Sequence, residues 1–100
     1  MMMKLYVSKK AAEALKTDLQ HSSGNAVRFF VRLGGCSTVQ SGFSVGVTKD
    51  DPKHPGPVAT DEQTGLTFFI EQEDEWFFDN HDLHVEYDEE NENLQYEYRK

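Results

Sequence analysis

Apolar and polar positions alternate along most of the chain, with one interruption of helical period near the start. Lys4 to Val7 predicts a short strand. Ser8 then offers an N-cap to a helix over KKAAEALKTDLQ, residues 9–20, in which Ala11, Ala12, Leu15 and Leu19 form one apolar stripe and Gly24 supplies a stop. AVRFFVRL, residues 26–33, sets Val27, Phe29, Val31 and Leu33 on one face and Arg28, Phe30 and Arg32 on the other, the pattern of a half-buried strand. Beyond a glycine pair, GFSVGV puts Phe43, Val45 and Val47 on one face of a returning strand. All three prolines fall in TKDDPKHPGPVAT, residues 48–60, which predicts a long surface loop. TGLTFFIE follows as a strand with Leu66, Phe68 and Ile70 inward, and EDEWFFDN is short enough for a single helical turn. LHVEYD and LQYEY form a terminal hairpin across EENEN, with Leu83, Val85 and Tyr87 opposed to Leu94, Tyr96 and Tyr98. The tally is one helix and about six strands: a mainly β (α+β) domain spanning residues 1–100, two small packed sheets or a partly closed barrel with the N-terminal helix covering an end.

Composition supports a folded core. Hydrophobic residues make up 37%, including seven Phe, four Tyr and one Trp, too many for an intrinsically disordered chain. The net charge of -8 opposes nucleic-acid binding, which depends on clustered Lys and Arg. The acidity is uneven: Glu71 to Glu97 holds twelve carboxylates and no Lys or Arg. Solvated outward strand faces account for such a run, as do a docking face for a basic partner and a weak divalent-cation site, though the spacing is not that of a calcium loop. Trp76, Phe77 and Phe78 lie within it, and three consecutive aromatics cannot all point inward from one short element. They close one end of the core or leave a partner surface beside the acids. Arg28 and Arg32 are expected to pair with carboxylates across the sheet. MMMKLYVSKK lacks the apolar region of a signal peptide and the longest apolar stretch is interrupted by arginines, so a cytoplasmic protein with no membrane role is expected.

Candidate chemistry concentrates in GGCSTVQSGF. Cys36 is the one cysteine, so no internal disulfide forms. The preceding glycines permit a turn of positive φ whose N–H groups converge on an anion, and a thiolate exposed there would titrate below its usual value of about 8.5. Burial of the thiol as a small hydrophobe beside a tight turn is the alternative. Nucleophilic catalysis would need a base that no spacing selects. His81 and His84 would face opposite sides of a strand, while His21 and His54 fall in polar loops, so the histidines form no metal motif.

GGCSTVQSGF resembles the GGCSG-x-x-x-GF segment of the HesB-like family of iron-sulphur cluster biosynthesis proteins, the A-type cluster carriers. The likeness runs through the capped helix SKKAAEALK, the Arg-bearing strand, the proline-bearing loop and TGLTFFI, with Gly34 to Phe43 its specific part. It implies that Cys36 is a metal ligand and that Gly34, Gly35, Cys36, Ser37, Gln40 and Gly42 form a binding loop. Thr38 stands where the family carries glycine, and the sequence stops at LQYEYRK where cluster carriers have a Cys-Gly-Cys tail. A cluster normally takes four ligands. One chain offers one thiolate and a dimer two, so iron or a cluster is expected only with external or second-chain ligands. The expected function is that of a non-enzymatic accessory or binding protein of cluster biosynthesis or iron metabolism, a monomer or homodimer with a protein partner. The alternatives are a metal-free interaction module working through its acidic and aromatic surface, and a thiol-based redox sensor or enzyme using Cys36.

Overall fold

The computed structural model describes residues 3–20, 24–34 and 42–100. In chain order the elements are β1 (Leu5–Val7), α1 (Lys9–Asp18), β2 (Ala26–Leu33), β3 (Phe43–Lys49), β4 (Pro55–Asp61), β5 (Leu66–Glu71), a 3-10 turn (Gln72–Asp74), α2 (Glu75–Phe78), β6 (Asp82–Asp88) and β7 (Asn93–Arg99). Two small sheets result, one in the order β1-β6-β7 and one in the order β3-β2-β5-β4. Mainly β architecture is thus observed, as two sheets.

Helix α1 forms where the capping residue and the apolar stripe coincide. The Ser8 hydroxyl accepts a 3.1 Å hydrogen bond from the Ala11 N–H, and the Ser8 N–H reaches the Val85 carbonyl at 3.0 Å. One cap therefore satisfies a helix end and ties it to β6. Ala11, Ala12 and Leu15 are buried and Leu19 is half-buried. The helix stops at Leu19, whose N–H turns back to the Leu15 carbonyl, so Gly24, at φ +90, is not its C-cap.

Strands β2 and β3 pair antiparallel from Val27↔Lys49 to Leu33↔Phe43. A Cβ at Gly46 in β3 would lie 2.6 Å from the Phe30 Cζ on the facing strand, so a side chain there would displace the Phe30 ring. Parallel pairing joins β2 to β5 and β1 to β6, which the alternation pattern alone does not specify. The terminal hairpin has the expected register, Leu83↔Tyr98, Val85↔Tyr96 and Tyr87↔Leu94.

Two expectations are corrected. The proline-bearing segment is not wholly loop, since Pro55–Asp61 is β4, antiparallel to β5. It is an edge strand with a register shift between Pro55 and Val58, and missing proline N–H groups are tolerated at an edge and at a bulge. Leu33 does not belong to the core: it is 81% exposed, because β2 pairs β5 only from Ala26 to Arg28 and its far end runs on beside β3 alone.

The core gathers Val27, Phe29, Leu66, Phe68 and Ile70 of the larger sheet with Leu83 and Val85 of the smaller, closed by α1 and by Phe77 and Phe78. Phe29 stacks on Phe68 at 5.9 Å and meets Tyr96 of the other sheet edge-on at 6.2 Å. β5 is buried on both faces, Phe69 included.

Candidate functional site

The expected binding loop hangs from the β2–β3 hairpin. Gly34 and Gly42 stand at φ +97 and +84, a region disfavoured for side-chain-bearing residues, and the Gly34 N–H donates to the Gly42 carbonyl at 2.9 Å. Backbone geometry at both ends thus accounts for the two glycines. Gly35, Cys36, Ser37, Thr38 and Gln40, and with them the thiol, lie outside the described residues.

At the hairpin base the strand pairing sets Leu33 opposite Phe43, and Trp76 meets the Phe43 ring edge-on at 5.3 Å. Of the three consecutive aromatics only Trp76, 47% exposed, reaches the surface. Phe77 and Phe78 are fully buried against each other and Tyr98, so the surface expected of all three reduces to Trp76. The physical cause is the short helix α2, which turns its second residue out and its last two into the core. Leu33 and Phe43 join Trp76 there instead. The position of Leu33 immediately before the glycines was the available signal that its strand was ending in a hairpin, beyond its pairing with β5.

Carboxylates gather on Arg28, which lies on the other face of β2 from Leu33 and Phe43. The Arg28 guanidinium is 2.8 Å from Asp74, 3.1 Å from Glu73 and 3.8 Å from Asp50. Burial works to lower the Arg28 pKa, yet the hydrogen bond and charge of Asp74, with Glu73 and Glu71, raise it overall. Its Nε is buried with no hydrogen-bond partner among the described residues. Arg28 therefore makes the expected pairing; Arg32 has no carboxylate partner among the described residues and lines an open cleft of about 680 Å³ with Val45, Val47, Leu94 and Tyr96.

Glu71 is the buried carboxylate that alternation did not expose as special. It is 5% exposed and accepts N–H bonds from Lys53 at 3.0 Å and His54 at 2.9 Å. Burial would raise its pKa, but the His54 and Lys53 N–H groups and the charge of Arg28 more than offset this, and the net shift is downward. The carboxylate fastens the chain before β4 to the end of β5.

The rings of His81 and His84 have structural partners, and His54 is held through its backbone N–H. His81 Nδ1 lies 2.8 Å from the Phe78 carbonyl oxygen and 3.1 Å from that of Asp79, His84 stacks on Tyr6 at 4.5 Å, and the His54 N–H is bound to Glu71. Among the described residues no group of three or more His, Cys, Asp or Glu could hold a metal ion. Those residues do not supply a donor set for an iron-sulphur cluster. No described helix is long and apolar enough to cross a membrane.

With the two sheets, the capped helix and the glycine-based hairpin in place, comparison with known proteins identifies the class. The family model described as iron-sulphur cluster biosynthesis matches residues 3–98, and the chain belongs to that family. Among curated proteins, the chain is similar to a pyruvate dehydrogenase inhibitor of Bacillus subtilis (strain 168), with 50% identity over 97 residues that cover 97% of this chain and 100% of the relative. It is also similar to an uncharacterized protein of Staphylococcus saprophyticus, 29% identical over 84% of this chain and 87% of that protein.

Proposed function

We propose that this chain is a non-enzymatic accessory protein in iron-sulphur cluster biogenesis, acting through protein contacts and through Cys36 as its one thiol. The family match across residues 3–98 carries the reading, together with a hairpin base whose glycine geometry fits a loop kept for binding rather than for packing. One cysteine in 100 residues leaves a four-ligand cluster three ligands short. A cluster is accordingly cargo held in part by other molecules: small thiols, a second copy or a partner. The test is anaerobic reconstitution followed by absorbance, on wild type and Cys36→Ser, with and without glutathione. Wild type is expected to retain cluster absorbance only with added thiol, and Cys36→Ser under neither condition. Stable cluster in Cys36→Ser would overturn the assignment.

A second reading is favoured by the relative 50% identical over its full length: this chain inhibits pyruvate dehydrogenase by binding to it. Inhibition by docking needs no chemistry from the bound protein. Adding purified chain to pyruvate dehydrogenase should lower the rate saturably, with Cys36→Ser as effective as wild type. An unchanged rate at saturating protein would remove this reading and leave the first intact.

A further inference from the structure

Four strands end the two sheets, and three of them are guarded against further pairing. β1 has only three residues, β4 carries Pro55 and Pro57 with a register shift, and β7 carries Glu97 and Arg99. β3, FSVGVTK, has no proline, no break in register and a single charge, Lys49 at its end. The Gly34 N–H bond to the Gly42 carbonyl and the Asp50 N–H bond to the Ala26 carbonyl set the phase of its ladder with β2. Bonded pairs alternate in an antiparallel ladder, so Ser44, Gly46 and Thr48 turn their main-chain groups to β2, while Val45 and Val47 turn theirs to the free edge. Among the described residues nothing meets the N–H and C=O groups of Val45 and Val47. The open cleft of about 680 Å³ runs along this edge, with Leu94 and Tyr96 of β7 across it. We infer that β3 takes up an extended segment of another protein as an added strand, bonded through Val45 and Val47.

The chemistry of the edge selects the occupant. Unpaired N–H and C=O groups repeating every second residue are complemented by another extended main chain. Side chains of that segment alternate between the face of Val45 and Val47, which takes apolar groups, and the opposite face. The charged lining of the cleft is Arg32 with Asp18 and Glu92, none of them in an ion pair among the described residues, so a segment carrying both signs matches it. A second copy would bring its own Asp18 and Glu92 to the shared edge and set a net charge of -8 against another. The inference rests on the reading of the chain as a protein that works by contact with partners, and supplies the mode of that contact.

Amide hydrogen exchange reads the edge residue by residue. In the free protein the Val45 and Val47 amides are expected to exchange fast, while those of Gly46 and Thr48, bonded to β2, are protected. The probe is a synthetic peptide alternating Val with Lys, Thr and Glu, matched in length to the seven residues of β3. It should protect Val45 and Val47 saturably. The same peptide N-methylated throughout keeps every side chain and loses its main-chain donors, and should bind about tenfold more weakly, equivalent to about 1.4 kcal/mol. Val47→Pro removes an N–H that β2 does not use and should weaken the parent peptide by a similar factor, with unchanged melting confirming its folding. Equal binding of the methylated peptide would show side-chain attraction alone and overturn the inference. So would an absence of added protection at millimolar peptide. Protection of Val45 and Val47 without peptide would overturn it too: rising with protein concentration it makes a second copy the occupant, and constant it makes the chain its own cover. Failure here leaves the cluster and inhibition tests untouched, so the two readings fall separately.

Discussion

Glu71 ends the central β5 with a carboxylate held away from water by two N–H donors, and its protonation therefore bears on stability. Its pKa is lower in the fold than in the unfolded chain, where it titrates near 4.5. The stabilisation is complete above that unfolded value and disappears as pH falls through the lower folded one. Melting temperatures from pH 7 down to pH 3 should fall more steeply for wild type than for Glu71→Gln, the two curves converging at the acid end. At pH 7 the variant should be less stable by about 1 to 2 kcal/mol, the usual cost of weakening a buried acceptor. Parallel curves would mean that the carboxylate is not the titrating group. Nothing in the sequence singled out this residue from the twelve carboxylates of the acidic run, because its burial comes from the chain before β4 folding back over it. Leu33 errs in the opposite direction. Alternation identifies which face a residue shares, but burial also needs neighbours, and at Leu33 β2 has run past its pairing with β5 and keeps only β3 beside it among the described residues.

Elements whose local chemistry agrees with their packing were legible. Helix α1 is the clearest, with a serine cap, an apolar stripe and only ten residues, too few to persist without tertiary support. Ser8→Ala should cost about 0.5 to 2 kcal/mol, measured by denaturant unfolding with the slope unchanged. A cost near zero would show that the Ser8 N–H bond to Val85 alone holds the junction. The β6–β7 hairpin was legible for a related reason: its register follows from two alternating runs and a polar turn. β4 was not, since Pro55 and Pro57 remove two ladder donors, and only its place at a sheet edge makes that loss tolerable. The parallel partners of β2 and β5 are equally a property of the assembled sheet. Gly34 and Gly42 were named in the expected binding loop, and their positive φ values give each a backbone reason to be glycine.

At the scale of the molecule the two sheets are joined by side chains, among them Phe29, which stacks on Phe68 of its own sheet and meets Tyr96 of the other. Burial pushes the Tyr96 phenol up to about 12, with a further contribution from neighbouring Tyr98. The neutral phenol is thus the form the fold accommodates. Stability from this source is complete below pH 10, the value in the unfolded chain, and is lost as pH rises toward 12. Phe68→Ala should lower stability by about 3 to 5 kcal/mol, a large share of the roughly 5 to 15 kcal/mol available to a domain. A chelator should leave the wild-type melting temperature where it was. The two measurements separate a core held by apolar burial from one organised around bound iron: in the first case the truncation is severe and the chelator inert, in the second the chelator alone abolishes cooperative melting. Cooperative unfolding that survives chelator and collapses in Phe68→Ala would place cluster handling outside the determinants of the fold, free to be shared with small thiols or a partner chain.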